Sequence, residues 1–267
     1  MTTSYRERAL KAMFFIALLT LAIGQFYLMS KASFSADTLA KAGALFQDSW
    51  ALYAQLLFIV FCVLYALVML GIIAFRAARS ASLEIFFFSL WCLAICFELA
   101  RAMSLWMALS GAGLSAVSIV ERFAIFGRYL SFIALFMGSM FPAGLKPERS
   151  GVILSAALIA ALFFTSIHPI NQGTNNSLLV VELGYSRLLR LLEIGLALLT
   201  LANYGIAWKE NRDKAFLRAA GGAALCIAGI WLGRSSLSII ISAVAIAGLC
   251  VGSWLYLKSM YSYYLWR

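Results

Sequence analysis

The stretch AAGGAALCIAGIWLGRSSLSIIISAVAIAGLCVGSWLYLKSM, residues 219–260, decides the fold. Apart from Lys258 near its end, its apolar run is interrupted only by Arg234-Ser235-Ser236. As a single helix rising ~1.5 Å per residue it would be about 63 Å long, roughly twice the hydrocarbon thickness of a bilayer. It therefore predicts a helical hairpin turning near Ser235. Upstream, apolar spans of crossing length recur along the chain. The full set is approximately 13–30, 51–75, 84–106, 117–141, 151–167, 187–208, 219–234 and 237–258.

These spans predict an all-α fold: a polytopic integral membrane protein, with residues 1–267 forming a single transmembrane domain built as an eight-helix bundle. Composition agrees, since the chain is 64% hydrophobic and 12% charged. A soluble domain carries roughly a quarter charged residues. Mean hydropathy is +0.93. The net charge of +10 is no sign of nucleic-acid binding, because the basic residues sit in short loops between spans. There they set orientation.

Arg6, Arg8 and Lys11 lie at one end, followed by Arg76 and Arg79, Lys146 and Arg149, the run Lys209, Arg212, Lys214 and Arg218, then Lys258 and Arg267. These occupy alternate loops and both termini, so the positive-inside rule makes both termini cytoplasmic. The opposite loops carry only Lys31 and Lys41. Trp50, Trp106, Trp208 and Trp266 fall near the expected interfaces, which indoles favour. The first residues resemble the basic n-region of a signal peptide. However, Met13–Met29 is long enough to span and no A-x-A-like site follows, so a retained first helix is expected. Residues 31–49 predict a short surface helix, and 168–177, with Pro169 and Gly173, an outer loop.

Ionisable residues inside the spans cluster toward the end that this topology places outside: Glu98, Arg101, Glu121, Arg122, Arg128, Arg187, Arg190 and Glu193, with His168 and Arg234 at the rim. Charge at membrane depth is costly and is usually kept for binding or transport. Glu98 and Arg101 share a helix face, as do Glu121 and Arg128, with Arg122 about 100° away. Arg187, Arg190 and Glu193 recur at i, i+3, i+6, and Gln25 and Gln55 lie at a similar depth. The other halves of the spans hold no acid or base until their ends, Asn203 being the main polar exception.

Two readings compete. In the first, ion pairs (Glu98 with Arg101, Glu121 with Arg128, Arg190 with Glu193) lock the helices. In the second, six arginines at 101, 122, 128, 187, 190 and 234 exceed four acids at 98, 121, 182 and 193, and the surplus receives an anion. Arginine suits bidentate capture of carboxylate or phosphate. The expected function is a non-enzymatic, receptor-like or lipid/anion-binding module. Its arginine-rich pocket would open outward to membrane lipids or to an anionic or amphiphilic small ligand. The alternatives are a transporter of such a solute and an intramembrane enzyme acting on a lipid head group.

Other chemistries find little support. One histidine argues against bis-His haem, a His-based zinc site and di-iron chemistry, so neither a cofactor nor a metal is expected. Cys62, Cys92, Cys96, Cys226 and Cys250 lie inside apolar spans and read as small hydrophobes. Nucleophile-elbow, Walker-type and dinucleotide-binding patterns are absent.

The segment Phe97–Pro142, with FELARAM at 97–103 and ERFAIFGRYLSFIALFMGSMFP at 121–142, looks somewhat like the multi-helix sensory regions attached to bacterial kinases and cyclases. The likeness covers less than a fifth of the chain and is not taken as membership of that group. It would imply a signal sensed in or across a bacterial-type cytoplasmic membrane. Any output would then pass to a cytoplasmic partner docking on the 209–218 loop (KENRDKAFLR).

Overall fold

The computed structural model describes residues 3–31, 49–77, 82–110, 113–175, 181–183 and 185–265. Nearly all of the expected surface helix in 31–49 lies outside them, as do Trp266 and residues 176–177 of the expected outer loop. The helices are α1 (Thr3–Lys31), α2 (Ser49–Ile72), α3 (Leu83–Cys96), α4 (Leu99–Leu109), α5 (Leu114–Ser139), α6 (Ser150–Ile167), α7 (Ser186–Asn211), α8 (Lys214–Arg234) and α9 (Ile239–Leu265). A π-helical turn, Ile73–Ala77, extends α2. Among the described residues, seven stretches are long and apolar enough to cross a membrane, the third combining α3 and α4. The remaining long helix, α5, carries Glu121, Arg122 and Arg128 and is not among those seven.

Three expectations are corrected in detail. The span at 84–106 is not one helix: it breaks at Phe97–Glu98. The first helix begins at Thr3 rather than near residue 13, so Arg6, Arg8 and Lys11 are helical, and Lys11 Nζ pairs with Glu7 Oε1 at 2.9 Å. The polar segment after His168 forms a strand, β1 (Ile170–Asn175), paired antiparallel with β2 (Val181–Leu183), so the fold is helical with one small β-hairpin.

Every residue of α3 is buried, including Phe86, Phe87, Phe88 and Trp91, which makes it the central helix. A helix that is apolar all round belongs in an interior. Ser82 caps its N-terminus, accepting a hydrogen bond from Ile85 N at 3.2 Å. By contrast, Phe15, Leu19, Ile23 and Phe26 of α1 are exposed, as are Tyr53, Val60, Leu64 and Val68 of α2. Lipid tails are as apolar as leucine, so close packing and interhelical hydrogen bonds, rather than transfer from water, hold such helices together.

The α8–α9 hairpin shows this packing most directly. It turns over 235–238, as its sequence requires. A Cβ on Gly222 would lie 2.7 Å from both Gly252 O and Tyr256 N, and one on Gly229 would lie 2.9 Å from Ala245 O. The two backbones meet where side chains are missing. The 209–218 segment is likewise mostly helical rather than a loop. Arg212 takes a left-handed conformation (φ 53°) at the end of α7, and Asp213 caps α8 by accepting from Ala215 N at 2.8 Å.

Candidate functional site

The break between α3 and α4 builds one corner of the site. Phe97 N, Glu98 N, Ala100 N and Arg101 N each bond three residues back, to Ala94 O, Ile95 O, Phe97 O and Glu98 O, at 3.0–3.3 Å. Such a tightened turn inside a longer helical path marks strain or a hinge. It is accommodated by α5, where a Cβ on Gly127 would lie 2.5 Å from Phe97 Cβ and 2.7 Å from Ala94 O. Glu98 sits in the break, and Arg101 follows one turn later.

Five helices, α2, α4, α5, α7 and α8, supply the network that extends from these two residues. Arg101 Nη1 donates to Glu98 Oε2 at 2.9 Å, and its Nη2 donates to Gln55 Oε1 of α2 at 2.8 Å. Arg234, the last residue of α8, donates from Nε to Glu98 Oε1 at 2.8 Å. Its Nη2 is 2.6 Å from the same oxygen, and its Nη1 is 3.9 Å from Glu193 Oε1 of α7. Arg128 of α5 grips Glu193 with two donors, Nε to Oε1 at 2.5 Å and Nη2 to Oε2 at 3.0 Å. Trp231 Nε1 of α8 adds a bond to Glu193 Oε2 at 3.3 Å.

Backbone of the hairpin turn closes the network. Gln55 Nε2 donates to Ser236 O at 2.5 Å, and the hydroxyls of Ser236 and Ser242 lie 2.7 Å apart. Ser242 Oγ in turn donates to Ala54 O at 3.2 Å.

Of the eight candidate residues, four therefore meet: Glu98, Arg101, Arg128 and Glu193. Gln55, noted in the sequence only as lying at a similar depth, and Arg234, placed at the rim and counted among the six arginines, are central. Trp231 was missed, although its i, i+3 spacing from Arg234 places both on one helix face.

The other four candidates lie elsewhere. Arg122 Nη1 donates to Thr165 O at 2.9 Å and Ser166 O at 3.3 Å, where it satisfies carbonyls at the C-terminal end of α6 and complements the helix dipole there. Arg187 and Arg190 are exposed on α7 and make no ion pair with a described residue. Glu121 is buried and likewise has no ion pair among the described residues. The expected pairs Glu121–Arg128 and Arg190–Glu193 are thus replaced by Arg128–Glu193 across α5 and α7. The expected Glu98–Arg101 pair forms. The reason is geometric, since shared helix faces bring residues close in one helix, whereas the neighbouring helix supplies the better-oriented acceptor.

The network is dry for most of its extent. Glu98, Arg101, Glu193, Arg234 and Gln55 are all buried. The Arg128 side chain, at 24% exposed, is its accessible edge. At the interior, Nη1 and Nη2 of Arg234 are buried without a geometrically sound hydrogen bond to any described residue, despite the 2.6 Å approach of Nη2 to Glu98. An unsatisfied buried donor on a charged group is costly.

A second polar contact flanks this edge. His168, beyond the end of α6, shares a 2.9 Å hydrogen bond through Nδ1 with the Tyr129 hydroxyl, while its buried Nε2 has no hydrogen-bond partner among the described residues. Burial, and then the nearby Arg128 charge, hold the His168 pKa below the ordinary imidazole value. Among the described residues no three His, Cys, Asp or Glu side chains gather where they could hold a metal ion. Asn203 Nδ2 donates to Ser139 Oγ at 2.9 Å, joining α7 to the end of α5.

Fold and site together fit the class of multi-pass helical membrane proteins, here one with a buried network of arginines and glutamates. No protein-family model, curated protein or solved structure matches the chain.

Proposed function

We propose that the protein is a receptor-like or lipid/anion-binding membrane module, and that its ligand carries an anionic group to the Arg128 edge of the network. One observation carries this reading. Arg128 is partly exposed, while Arg234, one carboxylate away, holds two buried guanidinium nitrogens with no sound hydrogen bond to a described residue. Arginine placed at depth with donor capacity to spare matches a carboxylate or phosphate head group better than it matches a purely structural lock. We further propose eight crossings with both termini cytoplasmic, from the charge asymmetry of the loops. The network then lies toward the outer side, reached from the outer leaflet or from outside the cell. Within this reading the exposed basic residues at 209–218 face the cytoplasm and offer a surface to a partner.

The test is native mass spectrometry and thermal unfolding of the purified protein in a neutral detergent, with decanoate, dodecyl phosphate and the cation dodecyltrimethylammonium as probes. Stabilisation by the anionic amphiphiles alone, lost in Arg128→Gln, is the expected result. Equal responses to all three, or none, would overturn the reading.

A further inference from the structure

Glu193 stands between two cations that belong to different helices. On one side Arg128 of α5 holds both of its oxygens. On the other, Trp231 Nε1 of α8 already donates to Oε2, and Arg234 Nη1, buried and without a hydrogen bond among the described residues, lies 3.9 Å from Oε1. Of the three cations in the network, Arg128 is the one that solvent or a ligand reaches, while Glu193 itself is buried.

Glu193 takes the Nε and Nη2 donors of Arg128, so an anion that binds this same fork competes with Glu193, whereas one held by Nη1 alone would leave the pair intact. A buried carboxylate stripped of its partner is strongly destabilising. Glu193 has a receiver at hand, however: a shift of about 1 Å brings Oε1 to hydrogen-bond distance of Arg234 Nη1.

From this geometry we infer an ion-pair exchange: the ligand's anionic group displaces Glu193 from Arg128, and Glu193 passes to Arg234. The inference rests on the anion-binding reading and deepens it. Arg128 is the residue that touches the ligand, Glu193 is an internal competitor that sets the affinity, and Arg234 acts only by accepting Glu193. The exchange loosens the link between α5 and α7 and tightens that between α7 and α8. Ligand occupancy is thereby converted into a change of helix pairing.

The competitor role makes an unusual prediction. Removing the charge of Glu193 should tighten binding, whereas an acid that merely orients Arg128 would weaken binding when lost. Decanoate binding would be measured by calorimetry on the whole protein in a neutral detergent, with acetate run in parallel to separate an amphiphile from a free small anion. Glu193→Gln should raise decanoate affinity by about tenfold, and Arg234→Gln should lower it by about fivefold in the native background but leave it unchanged in the Glu193→Gln background. Arg234→Lys, which keeps the charge, provides a folded control should Arg234→Gln be unstable.

A second readout is local. Decanoate should shift the indole emission of the native protein, and the shift should vanish in Trp231→Phe.

Weaker binding in Glu193→Gln would overturn the exchange while leaving the anion site standing, and so would equal effects of Arg234→Gln in both backgrounds. Acetate binding as tightly as decanoate would assign the site to small anions rather than to lipid-like ones, and would overturn the amphiphile. If neither the native protein nor Glu193→Gln binds an anion, the exchange and the proposed function fall together.

Discussion

Arg128 of α5 holds Glu193 of α7 through two parallel hydrogen bonds, and the pair, 65 residues apart in the chain, ties the two helices together. The buried member depends on this contact most. Losing one partner of a buried pair costs about 3–5 kcal/mol, while removing both is far milder. Arg128→Gln should therefore lower the thermal midpoint in detergent by several degrees, and Arg128→Gln with Glu193→Gln should recover part of the loss. The partial exposure of Arg128 reduces the size of the effect but not its sign. A double variant no more stable than Arg128→Gln alone would show that the two residues are not energetically coupled.

Adjacent glycines on α8 should respond oppositely to the same change. Gly222 meets the α9 backbone, where a Cβ would lie 2.7 Å from Gly252 O, whereas a Cβ on Gly221 would find its nearest neighbour, a Leu255 methyl, at 3.9 Å. Gly222→Ala should open the hairpin and destabilise the protein by about 1–3 kcal/mol. Gly221→Ala should be neutral or gain up to about 1 kcal/mol from helix propensity. Thermal unfolding of the two variants, side by side, decides the point.

His168 gives the protein a pH dependence of defined sign. Its folded pKa lies below the ordinary value of 6.5 because burial and Arg128 disfavour the imidazolium. The unfolded chain then binds the proton more readily than the folded one, so the contribution is fully present above that value. It falls as the pH drops from there toward the lower folded pKa. Unfolding midpoints measured between pH 8 and pH 5 should decline less steeply for His168→Gln than for the native protein. Identical slopes would assign the decline to other groups.

The proposed crossing count predicts that the α7–α8 turn and the α4–α5 connection face opposite sides of the membrane. Cysteines placed at Arg212 and at Ser110 in a cysteine-free background should be labelled by an impermeant maleimide from opposite faces of sealed vesicles. Labelling of both from one face would require an even number of crossings between them and would displace α5 from the membrane.

Much of this was written in the residues themselves. The hairpin at 235–238 follows from the length of the apolar run at 219–260 and its single polar interruption, and it forms there. The Glu98–Arg101 pair also follows from spacing alone. The break at Phe97–Glu98 was not legible, because neither residue is a proline or glycine. The space for it is provided by a glycine on another helix, Gly127. Arg122 was read as part of the charge cluster. It turns instead to the end of α6, whose 18 residues finish within reach of an arginine in the first half of α5.

The sequence alone determined that the chain is built of long apolar helices of membrane-crossing length, and where the last two fold back. Those properties depend on local composition and on the 3.6-residue period, which act within a single helix. Only the tertiary structure decided that Glu193 belongs to Arg128 and stands within 3.9 Å of Arg234. Such partnerships depend on the stagger and rotation of helices distant in the chain. Those are set by close backbone approaches such as Gly222 on Gly252, which no periodicity within one helix records.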